Sequence, residues 1–204
     1  MVRTAILVSG DGGLLQTILD SMYFGEIPNF ELAAVICTEA DAYAMRRARN
    51  AKIPAYVVEP ENFPTKLSYS MAIAAKLKDM DIDLVVLAGY KMPLGAIASN
   101  FRNKVIGTFP ALIPACEGEQ NPVRAVLERG SRITGATAYF ADVDGHVGPV
   151  ILQQAVSILP DDTERTLAQR ITEEAEWKLL PKAIILYCRN CLEIHGGRTI
   201  IKEK

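Results

Sequence analysis

Four short stretches hold the residues whose types and spacing can do chemistry. Ser9-Gly10-Asp11-Gly12-Gly13 follows an apolar run and precedes a helical pattern, so its backbone N–H groups and the coming helix dipole favour an anion such as a phosphate. It has no P-loop lysine, and Gly-Asp-Gly-Gly is not the G-x-G-x-x-G of dinucleotide folds. Asp142, Asp144 and His146 alternate along one loop, a spacing that serves acid–base or metal chemistry only if the loop is extended and otherwise reads as a solvated turn. Cys188-Arg-Asn-Cys191 is a C-x-x-C, but it closes a helical segment and no second pair completes a zinc set. We expect packing and turn roles there, and no metal site. Gly107-Thr-Phe-Pro-Ala-Leu-Ile-Pro114 has two prolines that fix a rigid loop where reactive groups are commonly held, yet Gly107, Thr108, Phe109 and Ala111 offer one hydroxyl and no titratable group.

The elements that position these stretches alternate. Strands are expected over 4–8, 31–37, 55–58, 82–87 and 105–106, with helices over 14–24, 41–51 (Asp41 as its cap), 68–78 and 94–101. After a helix over 122–129, strands over 133–140 and 149–158 flank the acidic loop and read as antiparallel additions. A long amphipathic helix over 163–186 is expected to break or kink at Pro181, and a hairpin turning at Gly196-Gly197 ends the chain. The fold class is α/β: a mostly parallel twisted sheet with helices on both faces, antiparallel strands in the C-terminal half and a long C-terminal helix. Residues 1–204 are expected to form a single domain, 1–106 a βαβ half of nucleotide-binding type and 107–204 the remainder. In such sheets ligands lie beyond the strand carboxyl ends, which selects the loops at 9–13, 89–93, 107–114 and 142–148.

Half the residues are hydrophobic, enough for a substantial core and against disorder. The net charge of −2 gives no global basic footprint for nucleic acid. No apolar run reaches membrane-span length and the first residues read as a strand, so neither a membrane partner nor a signal peptide is expected, and the expected location is cytoplasmic.

In order along the chain, Ser9-Gly-Asp-Gly-Gly-Leu-Leu-Gln16, Leu84-Val-Val-Leu-Ala-Gly-Tyr90, Pro110-Ala-Leu-Ile-Pro114, Ile133-Thr-Gly-Ala-Thr137, Gly148-Pro-Val-Ile-Leu-Gln153 and Glu176-Trp-Lys-Leu-Leu-Pro181 resemble blocks of the phosphoribosylglycinamide formyltransferases, of the folate-dependent formyltransferase family. The resemblance covers nearly the whole chain. It implies the family fold, a phosphate and substrate site at Ser9, Gly10, Asp11, Gly12, Gly13 and Glu176, and folate-pocket positions at Tyr90, Lys91, Met92 and Leu94. The reaction it implies moves a formyl group from 10-formyltetrahydrofolate to the amine of glycinamide ribonucleotide.

The same register removes the family's catalytic Asn, His and Asp, which fall on Gly107, Phe109 and His146. Thr108 and Asp144 are the possible substitutes. Glu117 and Glu119 are expected to make the nearby mouth acidic, against anionic ligands. The leading expectation is therefore a family member impaired in formyl transfer that retains at most binding of a phosphorylated small molecule, with no cofactor required. One alternative is an active enzyme that uses 10-formyltetrahydrofolate in purine biosynthesis through non-standard groups. Another is a structural or regulatory partner of an active copy, or a homo-oligomer.

Overall fold

A computed structural model describes residues 1–202. The strands are β1 (Val2–Val8), β2 (Phe30–Cys37), β3 (Ala55–Val57), β4 (Leu84–Ala88), β5 (Val105–Phe109), β6 (Ile133–Ala141) and β7 (Val147–Ser157). They form one sheet in the order β3-β2-β1-β4-β5-β6-β7. The first five are parallel, while β6 and β7 run antiparallel, as the patterning implied. The sheet grows outward from β1 in one direction and from β4 in the other, so the crevice at a topological switch point lies beyond the carboxyl ends of these two strands.

Strand alternation sends apolar side chains to both faces. Ile6, Val8, Val35, Val86 and Ile106 pack with Leu15 and Ile18 of α1 (Gly13–Tyr23), with Met45 of α2 (Tyr43–Asn50), and with Leu180 and Ile184 of the C-terminal helix. On the opposite face Ala5, Leu7, Ile36, Val85, Leu87 and Val105 meet Tyr69, Ile73 and Leu77 of α3 (Lys66–Asp79) and Ile97 of α4 (Ala96–Asn100). Thr65 caps α3 with a reciprocal box to Ser68. Asp41 is not the cap of α2: the cap position is Ala42, with no side-chain bond, because the helix is anchored through Ala44 N–H to Gly10 O.

The helix after α5 (Pro122–Glu128) departs from expectation. It runs as α6 (Glu164–Ile171), a single π turn (Thr172–Glu176) and α7 (Trp177–Cys188), and the irregularity falls before Pro181 instead of at it. Pro181 lies inside α7, where its ring crowds the preceding turn, and the wide π turn just ahead of it gives that turn room. The terminal hairpin is present as β8 (Leu192–His195) and β9 (Arg198–Ile201), with Gly196 and Gly197 both at positive φ in the two-residue turn. Cys188 and Cys191 are buried free thiols at the end of α7, and burial pushes the Cys188 thiol up to about 11. No helix among the described residues is long and apolar enough to cross a membrane.

Asp162 anchors the entry to α6. Its carboxylate accepts two bonds of 2.6 Å from Arg170, one from Thr166 Oγ1 and one from Leu159 N–H. The Arg170 guanidinium leads in holding its pKa down to about 2, from an ordinary 3.8. A lowered carboxyl pKa means the fold favours the ionised form. This contribution is complete above about pH 4 and is lost as pH falls through about 2. Acid unfolding of Asp162→Asn is expected to be flatter over that window than that of the parent, and identical slopes would show that the pair adds nothing.

Candidate functional site

At the switch point, β1 ends in the glycine loop and β4 in Gly89. Gly10 and Gly12 have φ of 74° and 72°, a conformation that glycine takes without strain. Gly12 also lies where a Cβ would stand 2.8 Å from Ala44 Cβ, so α2 is pressed directly onto the loop. Arg47 of the same helix completes the brace, donating to Asp11 O at 2.9 Å and to Gln16 Oε1 at 2.8 Å while packing over the Tyr43 ring. Sequence reasoning missed Arg47, because only the docking of α2 on the loop gives it a role.

The first amides of α1 make the anion-favouring feature, and one is already engaged. Gly13 N–H reaches the Asp11 carboxylate at 3.4 Å, and the first bond that α1 makes back to the loop is Gln16 N–H to Gly12 O. Together with Ser9, Gly89, Thr172, Glu176 and Trp177 the loop lines a cavity of about 250 Å³.

Glu176 is only 7% exposed, not an exposed helix residue. The π turn directs it inward, and both its oxygens accept hydroxyl bonds: Oε1 from Thr108 at 2.7 Å, Oε2 from Thr172 at 3.0 Å. A carboxylate held this way can only accept, so it selects ligand hydroxyls or ammonium groups. Thr108 faces inward, and its hydroxyl is spent on Glu176.

Residues 107–109 belong to β5 itself, not to a loop, since Gly107 pairs with Tyr139 and Phe109 with Thr137 across to β6. The following loop is tied down by Thr137, whose hydroxyl donates to Ala111 O at 2.8 Å and accepts from Ile113 N–H at 3.2 Å. Phe109 is partly buried against the main core. Nothing at 107 or 109 titrates.

The acidic loop does not start where expected. Because β6 is antiparallel, Phe140 faces Ile106 and the loop leaves from the amino-end side of β5, not its carboxyl end. Its tip returns to rest on Leu94, where a Cβ on Gly145 would come within 2.8 Å of Leu94 Cβ. Asp142 Oδ1 accepts the N–H groups of Asp144 and His146, and the His146 ring is 80% exposed with Nδ1 3.8 Å from Asp142 Oδ2. One ligand atom from each of Asp142, Asp144 and His146 falls within a 4.8 Å cluster. Among the described residues no hydrogen bond or ion pair joins this loop to β5.

Around the other positions, Tyr90 and Tyr69 share a hydroxyl contact at 3.4 Å, with burial driving the Tyr90 hydroxyl far upward, and Lys91 N–H donates to Ser9 Oγ at 3.3 Å. Lys91 and Met92 border a larger cavity of about 500 Å³ over β2 and β3, whose wall carries Glu39, Asp41, Glu59 and Glu61. It is the roomier space, but its carboxylates repel anions, and the amides of α1 open into the smaller one. Glu119, expected to repel ligands, is paired with Arg129.

A family model described as formyl transferase matches residues 2–184. The chain belongs to the formyl transferase family. It is 36% identical to a phosphoribosylglycinamide formyltransferase of Haemophilus influenzae, covering all of this chain and 95% of that one. It is 32% identical to part of the human trifunctional purine biosynthetic protein adenosine-3, covering 99% of this chain and 20% of that protein. A crystal structure of glycinamide ribonucleotide transformylase 1 from Symbiobacterium toebii superposes with a TM-score of 0.93 at 38% identity, over all of this chain and 95% of that one. The formyl transferase fold inferred from the ordered blocks is thus the fold present.

Proposed function

We propose that the crevice binds a phosphorylated ribose derivative, as the names of the phosphoribosylglycinamide formyltransferases imply for their substrate, and that formyl transfer by the family's groups is largely lost. The observation that carries this reading is the asymmetry of the crevice. Its binding half is built, with a braced glycine loop at the head of α1 and a buried acceptor in Glu176. Its reacting half presents Gly107 and Phe109 on β5, and His146 points into solvent. In this reading the phosphate meets the α1 amides and the ribose hydroxyls meet Glu176. No resident cofactor is needed, and 10-formyltetrahydrofolate is the cosubstrate of the transfer that remains.

Titration calorimetry with glycinamide ribonucleotide and with ribose 5-phosphate tests the binding half. Saturable binding to both is expected, tightened about tenfold in Asp11→Asn because a like charge leaves the loop. Absence of binding to either compound, in parent and variant alike, would overturn the reading.

A further inference from the structure

Gly107 stands opposite Tyr139 across β5 and β6. Its φ is not positive, so the backbone does not demand glycine there. A Cβ at 107 would be crowded by Leu87, at 3.1 Å from its Cδ1 and 3.3 Å from its Cβ, and would stand at an ordinary contact distance of 3.4 Å from the Tyr139 hydroxyl oxygen. Tyr139 is the direct cross-strand partner of Gly107, and side chains opposite one another in an antiparallel pair share a face. The Tyr139 hydroxyl therefore stands beside the space that glycine leaves. That hydroxyl has no hydrogen-bond partner among the described residues, although Tyr139 is partly buried against the core cluster that holds Leu87 and Leu94. Among the described residues the buried side-chain oxygens left without a partner are Thr134 Oγ1 and Thr199 Oγ1, so the Tyr139 oxygen is open to solvent or to a ligand.

We propose that Tyr139 is the hydrogen-bond donor that this crevice presents to a carbonyl oxygen of its ligand, beside the position where Gly107 places no side chain. The proposal rests on the reading that the crevice takes a small-molecule ligand. The family chemistry supplies the carbonyl, that of a formyl group. As the acceptor amine nitrogen bonds to the formyl carbon, the carbon–oxygen π pair moves onto oxygen. The Tyr139 O–H steadies that charge and keeps its own proton. The pair returns when the bond from carbon to the donor nitrogen breaks, and that nitrogen takes the proton the amine gives up. Burial, then the carboxylates of Asp142 and Glu176, push the Tyr139 hydroxyl up to about 12, so it stays protonated and able to donate throughout the neutral range.

Tyr139→Phe removes the oxygen and keeps the ring, which separates donation from packing. Formyl transfer from 10-formyltetrahydrofolate to glycinamide ribonucleotide, followed at high enzyme concentration, is expected to fall about 10²-fold in kcat/KM, part of it in KM because the donor also holds the ground-state carbonyl. Where parent turnover lies below detection, the readout is the preference for 10-formyltetrahydrofolate over tetrahydrofolate in equilibrium binding, expected to drop about tenfold in the variant. Tyr56→Phe, at an exposed tyrosine over Lys76, serves as the control. A Tyr139→Phe protein that keeps both its kcat/KM and its preference for the formylated ligand would overturn the proposal. Ribose 5-phosphate binding is measured on the same variant and is expected to be unchanged. Its loss in parent and variant together would point to failure of the underlying binding reading instead.

Discussion

Assayed beside the Haemophilus influenzae relative, the protein is expected to transfer formyl groups at least ~10³-fold more slowly in kcat/KM, since a lost oxyanion donor costs ~10²–10³, a lost general acid or base ~10²–10⁴, and such losses overlap. Three positions contribute. Gly107 has no side chain, Phe109 has no donor, and His146 stands in a loop whose bonds run within itself. The substitutes named from sequence fare no better. The Thr108 hydroxyl is committed to Glu176, and Asp144 shares the exposed loop with His146. What remains is positioning, together with the donor proposed at Tyr139, and positioning alone is worth a great deal when two reactants are held together, so the expected rate is low and not zero. Steady-state kinetics with glycinamide ribonucleotide and 10-formyltetrahydrofolate decide it. A kcat/KM within tenfold of the relative would sink the impaired reading and shift the weight of catalysis onto groups such as Tyr139.

The second large effect is on stability. In Gly135→Ala the new methyl carbon would lie 2.0 Å from Gln154 O and 2.9 Å from Gln154 C, on the neighbouring strand. No rotamer relieves a contact with backbone, so β6 and β7 must separate locally or slip. A loss of about 4 kcal/mol is expected, with a fall in Tm on the order of 10 °C for a chain of this size. The damage extends to the crevice. Two residues further along β6, Thr137 holds the 110–114 loop through Ala111 and Ile113, and two beyond it stands Tyr139. Chemical denaturation measures the first effect and ribose 5-phosphate binding the second; a midpoint equal to that of the parent would show that β7 yields at no cost.

Much of the architecture could be read from the chain. Short continuous apolar runs marked the parallel strands, alternation marked the strand over 133–140, and Gly196-Gly197 marked the hairpin. Six ordered blocks pointed to the family. The site was legible where chemistry is local, as in the glycine loop. It was hidden where chemistry depends on register or docking. That Tyr139 lies over Gly107 follows from a pairing between strands about thirty residues apart. Arg47 acquires its role when α2 docks on the loop, and Glu176 turns inward through a π turn that helical periodicity cannot foresee. Asp41 fails as a cap for the same kind of reason: a long-range backbone bond to Gly10 set the start of α2 in place of local capping chemistry.

The press of Ala44 against Gly12, with Arg47 spanning Asp11 and Gln16, has a kinetic side. A loop wedged between two helices has already given up its freedom when the chain folds, so an arriving anion orders nothing further there. For the phosphate proposed to bind at this end of the crevice, exchange is then expected to be governed by diffusion and by the departure of the Asp11 carboxylate from the Gly13 amide. A dianion is expected to displace that carboxylate more readily than a monoanion, so on the proposed reading the lock on the loop is also a filter on ligand charge.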